Sequence, residues 1–329
     1  MKVLITGVAG LLGANFSRYL LTKGYDVCGI DDLSGGYKSS VPKDARLHVG
    51  NLADSEFVNG VFKEEKPDYV FHFAAYAAEG LSPFIRTYNY TNNIISSSNV
   101  INACVNNDVK KIIFTSSMAV YGIGNPPFTE SQLPHPEDPY GIAKYAVEMD
   151  LSLAHSMFGL RYSIVRPHNV VGIYQNIWDR YRNVIGIWIR KSLAGEPLTI
   201  FGDGTQVRAF SDISFYMQPF ERLMFEYDGE TFNIGADKDF TINDASDIVI
   251  DVAREFGYNA SKVYLEKRNE VHTAYCDHTK ARTLLGFSDD TDLRKTVHTM
   301  FEWAMKQKPN PIRDMDYEIE KNMYSFWKK

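Results

Sequence analysis

Apolar and polar positions follow two alternating rhythms through the first half of the chain. Five short apolar runs, rich in Val, Ile and aromatics, read as strands buried on both faces: KVLIT (2–6), YDVCGID (25–31), RLHVG (46–50), DYVFHFA (68–74) and KKIIFTS (110–116). Between them, LLGANFSRYLLTKG (11–24), SEFVNGVFKEEK (55–66) and the segment from Ile85 to Asn107 carry helical spacing. Such alternation predicts right-handed crossovers and a doubly wound parallel sheet with helices on both faces. A further strand is expected over YSIVRPHNVVG (162–172), after a helix opening near Pro139.

Past residue 172 the rhythm loosens. NIWDRYRNVIGIWIRKSLAG (176–195) reads as a helix, and PLTIFGDGTQVRAFSDI (197–213) as a strand, a turn and another extended piece. TFNIG, INDASDIVIDVAREFG, KVYLEK and a helix near 292–306 follow, and then a charged tail. The expected division is a cofactor-binding α/β domain over 1–172 carrying the catalytic residues, and a smaller α/β substrate lobe over 173–329. The chain is expected to interweave between the two.

Composition narrows the partners. The 329 residues are 44% hydrophobic and 23% charged, ordinary for a globular protein. A formal net charge of −6 disfavours nucleic acid, whose phosphates attract a basic face. Cys28, Cys104 and Cys276 are odd in number and lack metal-ligand spacing, so no metal is expected and the thiols read as free. No run of eighteen apolar residues and no signal peptide is evident. No membrane partner and a cytoplasmic location are therefore expected.

TGVAGLLG (6–13) follows the first strand and opens the first helix. Gly7, Gly10 and Gly13 permit a tight turn and close approach of a pyrophosphate to backbone N–H groups at a helix N-terminus. Asp31 and Asp32 end the second strand, where a carboxylate can accept both hydroxyls of an adenosine ribose and repels a 2′-phosphate. NAD is thus expected over NADP.

The candidate chemistry lies in EDPYGIAKYAVEMD (137–150), where Tyr140 precedes Lys144 by one helical turn. Spacing alone is weak, because Tyr19/Lys23, Tyr258/Lys262 and Tyr317/Lys321 repeat it. Context separates the first pair. Asp138 and Pro139 set a helix start, and the fifth strand ends in Thr115, Ser116 and Ser117 at the sheet's carboxyl edge. A phenol titrates near pH 10 in water; a neighbouring ammonium and a helix N-terminus lower that value. The Ser117 hydroxyl can share a proton with a substrate oxygen.

With TGVAGLLG, HFAA (72–75), SSMAVYG (116–122), PYGIAK (139–144), RPHN (166–169) and FGDGTQVRAF (201–210) in this order, the chain resembles the extended short-chain dehydrogenase/reductases, and among them the NAD-dependent nucleotide-sugar epimerases. The resemblance covers nearly the whole length. It implies a Rossmann-like fold and Tyr140, Lys144 and Ser117 as the catalytic set. It implies NAD contacts from Gly7, Gly10, Leu11, Leu12, Gly13, Asp31, Asp32, Asn51, Leu52, Phe73, Ala74, Ala75, Asn93, Ser116, Tyr140, Lys144 and Pro167. It implies substrate contacts from Ser117, Tyr140, Asn169, Asn183, Val184, Arg208, Arg268 and Ala274, the arginines gripping a nucleoside diphosphate.

The implied reaction is 4-epimerisation of a UDP-hexose through a 4-keto sugar, with Ala274 leaving room for an N-acetyl group. Related dehydratases place Asp–Glu where this chain has Met118 and Ala119, which transfer no protons, and Ala77 stands where many relatives carry a polar side chain. A nucleotide-sugar decarboxylase or reductase, and a non-catalytic NAD-sensing protein, are the rival expectations. The resemblance also implies a homodimer through a four-helix bundle, built from the Ile85–Asn107 and Tyr140 helices.

Overall fold

All five apolar runs become strands, and they lie side by side. The computed structural model describes residues 1–124, 126–268, 273–312 and 314–328, with the backbone alone for Thr273 and Ala274. β1 (Lys2–Thr6), β2 (Asp26–Asp31), β3 (Arg46–Val49), β4 (Tyr69–His72) and β5 (Lys111–Thr115) are joined by β6 (Tyr162–Pro167) and, from far along the chain, β11 (Glu230–Ile234). Every pairing among them is parallel, and the order is β11–β6–β5–β4–β1–β2–β3. This is the Rossmann-like doubly wound α/β fold. Chain direction across the sheet reverses between β1 and β4, which opens a crevice at the strands' carboxyl ends.

One sheet face is covered by α1 (Leu11–Thr22) and α7 (Met217–Leu223), where Phe16, Phe71 and Phe220 meet in the core. The other face carries α2 (Ser55–Glu65), α4 (Ser96–Asn106) and α5 (Pro139–Phe158), packed through Phe62, Val100, Phe114 and Leu151. The Ile85–Asn107 segment is helical as expected, but α3 (Arg86–Tyr90) joins α4 through one wide π-turn, Thr91–Ile95.

A second core gathers α6 (Val184–Leu193), α8 (Ile242–Glu255), α9 (Leu293–Met305) and β8 (Leu198–Phe201) around Trp188 and Phe301. Small sheets flank it. β7 (Val170–Val171) pairs with β10 (Ser211–Asp212), β9 (Val207–Ala209) lies between β12 (Asp239–Thr241) and β14 (Thr273–Ala274), and β13 (Lys262–Leu265) pairs with β8. Among the described residues, no helix is long and apolar enough to cross a membrane.

Two expectations need correction. The 162–172 strand breaks into β6 and β7 because Asn169 takes a left-handed φ of 42°. The 176–195 helix starts only at Val184. Upstream, the Asn176 and Asp179 carboxamide and carboxylate accept the Trp178 and Tyr181 N–H groups (both 2.8 Å), and Asn183 is left-handed at φ 65°. Those side-chain turns compete with helix for the backbone. The charged tail also carries a buried apolar set: Met315, Met323 and Trp327 pack against Tyr76, Leu81 and Tyr181.

Candidate active site

The crevice predicted by strand order is a cleft of about 1620 Å³ running from Gly10 and Asp31 past Tyr140 to Arg208 and Phe326. Sites for one small ligand span roughly 300–1,000 Å³. This one has room for two.

At one end, the sequence builds an anion seat. Gly7 bends at φ 71°, and a Cβ there would come 2.8 Å from the Ala74 nitrogen. Gly13 lets α1 press onto the turn, since a Cβ would lie 2.3 Å from the Gly7 carbonyl oxygen. α1 opens at Gly10 with no side-chain cap and no acid in its first turn, leaving its N–H groups and positive dipole end to the cleft. Asp31 is buried and held in place by the Ala9 N–H (2.9 Å) and the Leu33 N–H (2.8 Å); burial pushes its carboxyl above the usual range, opposed by those bonds. Seat, bare backbone and ribose-facing carboxylate fit a dinucleotide. Leu11, Leu12, Asn51, Leu52, Phe73, Ala74, Ala75 and Pro167 line the same cleft.

Gly13 and Asn93 do not line it. Gly13 acts through packing. Asn93 is turned inward, where its carboxamide accepts from the Tyr76 N–H (3.0 Å) and donates to the Tyr76 carbonyl (3.2 Å). It shapes the wall that Tyr76 presents. Asp32 lines the cleft rim and accepts the Ser34 N–H at 2.9 Å.

Tyr140, Lys144, Ser116 and Ser117 converge at the carboxyl end of β5. Asp138 caps α5 by accepting the N–H groups of Tyr140 (2.8 Å) and Gly141 (3.0 Å), with Pro139 at the first turn. Tyr140 is 7% exposed. Burial pushes its phenol above the usual value, while interaction with the Ser117 hydroxyl pulls it down. Lys144 lies one turn on, its Nζ donating to the Thr115 carbonyl at 2.8 Å and lying 5.8 Å from the Tyr140 ring centre. Burial pushes its ammonium down to about 7, against a weaker pull upward from Glu148. The set can exchange a proton with a ligand oxygen beside the dinucleotide seat. None of Tyr19, Tyr258 and Tyr317 lines the cleft.

The far half is walled by Asn169, Asn183, Val184, Arg208 and Arg268. The Arg208 guanidinium donates to the Val207 carbonyl at 2.8 Å, and that of Arg268 stacks 4.0 Å from the Phe201 ring centre. Ala274 pairs in register with Arg208 across β14 and β9; its side chain lies outside the described residues. Tyr76, Arg182, Tyr324, Phe326 and Trp327 also line the cleft and were not expected. The tail aromatics left no periodic signal, and Arg182 sits in the stretch expected as helix.

The profile of the NAD dependent epimerase/dehydratase family matches residues 3–235. A UDP-glucose 4-epimerase of Lactobacillus helveticus is 28% identical over 333 residues, 95% of this chain and all of that protein. The solved UDP-glucose 4-epimerase of Thermotoga maritima, with UDP-glucose, is 31% identical with a TM-score of 0.86, covering 93% of this chain and 99% of that one. The UDP-N-acetylglucosamine 4-epimerase of Methanobrevibacter ruminantium, solved with UDP-N-acetylmuramic acid, is 30% identical with a TM-score of 0.84 over the same shares.

Proposed function

Because the chain belongs to the NAD dependent epimerase/dehydratase family, we propose that it is an NAD-using nucleotide-sugar epimerase that inverts C4 of a UDP-hexose. The observation that carries this reading is the meeting of Tyr140, Ser117 and Lys144 with the glycine-turn seat in one cleft large enough for two ligands. Bound NAD supplies a reversible acceptor for the C4 hydrogen. Tyr140 removes the C4 hydroxyl proton and later returns it, Ser117 shares that proton, and Lys144 favours the phenolate. Arg208 and Arg268 hold the diphosphate while the 4-keto sugar turns about its link to it.

Incubating the purified protein with UDP-glucose, UDP-galactose and their N-acetylated forms should give equilibrium mixtures of each epimer pair by chromatography. Failure to interconvert any nucleotide sugar ends this reading. Elimination of water is disfavoured because Met118 and Ala119 carry no acid at the cleft. A decarboxylase or reductase remains the second enzymatic reading: carbon dioxide lost from added UDP-glucuronate would establish the former, and stoichiometric consumption of added NADH the latter.

The proposal extends to N-acetylated sugars through the small Ala274. Ala274→Tyr should reduce kcat/KM for UDP-N-acetylgalactosamine at least tenfold more than for UDP-galactose, because lost pocket space is worth roughly 1–3 kcal/mol per small group. Equal losses on both substrates remove Ala274 from that role.

We further propose a homodimer through α5 and the neighbouring α4 region. Ile142, Met149, Leu153 and Met157 form one exposed apolar stripe on α5, and Ile95 is exposed nearby. Sedimentation should give the mass of two chains, and Leu153→Glu with Met157→Glu should return one; a single-chain mass for the unaltered protein removes the proposal.

A further inference from the structure

The loop between β7 and α6 is fastened over the cofactor end of the cleft. The Asn15 carboxamide of α1 donates to the Ile173 carbonyl at 3.0 Å, and the Arg18 guanidinium stacks 4.0 Å from the Tyr174 ring centre. The Asn176 carboxamide donates to the Gly35 carbonyl (3.1 Å) and accepts the Tyr37 hydroxyl (2.5 Å). Gly36 in turn lies against Ala9 of the glycine turn, where a Cβ would meet the Ala9 carbonyl at 2.5 Å. The loop therefore spans from α1 to the turn that follows Asp31.

At its end stands Arg182. Its Nε donates to Asp179 at 2.7 Å, its guanidinium lies 4.6 Å from the Tyr76 ring centre, and its Nη2 would be 2.6 Å from a Cβ on Gly35. The side chain is 13% exposed and lines the cleft. Asp179 engages the Nε atom, and among the described residues the two terminal nitrogens make no hydrogen bond. Burial raises both the Asp31 carboxyl and the Tyr140 phenol, and the Arg182 charge is a smaller influence that opposes it in each. Arg182 thus reaches the turn after Asp31 through Gly35 and shares the cleft with Tyr140.

We propose that Arg182 grips the pyrophosphate of the bound dinucleotide together with the glycine turn, so that the 173–183 loop latches the cofactor into the enzyme. This rests on the NAD reading above. Two phosphate charges face α1's N–H groups on one side, and a planar guanidinium fork supplies the missing counter-charge on another. The latch keeps the dinucleotide from leaving while the sugar turns, and it makes cofactor retention a property of a loop that leads directly into α6 of the substrate-facing core.

The test is exchange of isotopically labelled NAD into the purified holoenzyme, followed by mass. Arg182→Gln should speed exchange roughly 30-fold or more, as truncating a buried charge partner acts on the off-rate. Arg182→Lys should recover most of the loss. Raising salt should speed exchange in the unaltered enzyme and have little effect in Arg182→Gln, because screening acts on the charge that variant lacks. Asn176→Ala keeps the charge and loosens the loop, so its exchange should rise with the salt response intact. Unchanged exchange in Arg182→Gln, with weaker binding of UDP or UDP-glucuronate, overturns the proposal and assigns the arginine to the substrate. Faster exchange with the salt response preserved overturns it in favour of a purely structural loop. A protein that purifies without NAD and binds none fails the NAD reading itself, a result separate from either.

Discussion

Tyr140→Phe lowers kcat of the NAD-loaded enzyme by about 10²–10⁴-fold, the usual worth of one positioned proton-transfer group. The ring stays buried, so packing in α5 is kept and the thermal midpoint should change little. The loss should fall on kcat and kcat/KM alike, because the phenol acts in the transition state more than in binding. Steady-state kinetics on UDP-galactose, with bound NAD counted in the same sample, checks this. A drop below tenfold removes Tyr140 as the proton carrier. The pH profile sharpens the point. In the proposed mechanism the phenol must be deprotonated, and burial holds it above its ordinary value, so the ascending limb of the pH profile reports its ionisation. The Ser117 hydroxyl is the stronger of two groups that pull the phenol down, Arg182 being the other. Ser117→Ala should therefore move the ascending limb to higher pH, and a limb that stays in place removes Ser117 from this role.

The parallel sheet was legible because its strands are continuous apolar runs. KVLIT and KKIIFTS fall on β1 and β5 almost residue for residue. Burial on both faces leaves no other period for such segments to follow. TFNIG stands out as a short element, but neither its extended form nor its partner is legible. β11 joins β6 through backbone pairing, and nothing in five residues states which sheet edge will receive them. Neighbours of that kind are set by the crossover helices, not by the strand.

The cleft divides in the same way. The placement of Gly7, Asp31, Ser117, Tyr140 and Lys144 in the cleft was readable because each sits near a junction of strand and helix, where sequence order alone fixes position relative to the carboxyl edge. Arg182 was not, since apolar spacing over 184–193 extends the helical pattern backward across residues that Asn176, Asp179 and Asn183 divert into turns. Asn93 shows how tertiary packing complicates such a reading. Its place in the chain fits a cofactor contact, yet two hydrogen bonds to the Tyr76 backbone consume its carboxamide. The tail aromatics pack on one another and are fixed to the rest of the chain by tertiary partners. The Glu318 carboxylate accepts the N–H groups of Thr87 (2.7 Å) and Tyr88 (2.8 Å), and Phe326 packs 4.5 Å from Phe201.

Lys144→Met should make the cofactor-free protein more stable at pH 6 while removing most of its activity once NAD is restored. Burial displaces the Lys144 ammonium from 10.5 to about 7, so the folded state holds that charge against its preference. Below about pH 7 both folded and unfolded chains carry the proton, and the penalty is present in full. Between about 7 and 10.5 the unfolded chain keeps the proton and the folded one releases it, so stability rises with pH. Above that range neither carries it and the penalty is gone. A tenfold change in proton affinity is worth about 1.4 kcal/mol, so the gain at pH 6 is on the order of a few kcal/mol, less about 1 kcal/mol for the lost bond to the Thr115 carbonyl. The advantage should shrink steadily on titration to pH 10.5 and there turn into a small deficit. Denaturant unfolding of both proteins across pH 6–10.5 reads the difference directly. A buried amine kept at such expense belongs to a site rather than to a core, since methionine fills the same volume without it. An advantage that does not vary with pH, or a variant less stable at pH 6, means that Lys144 is held as a comfortable structural cation, and the argument that its charge is stored for Tyr140 then fails.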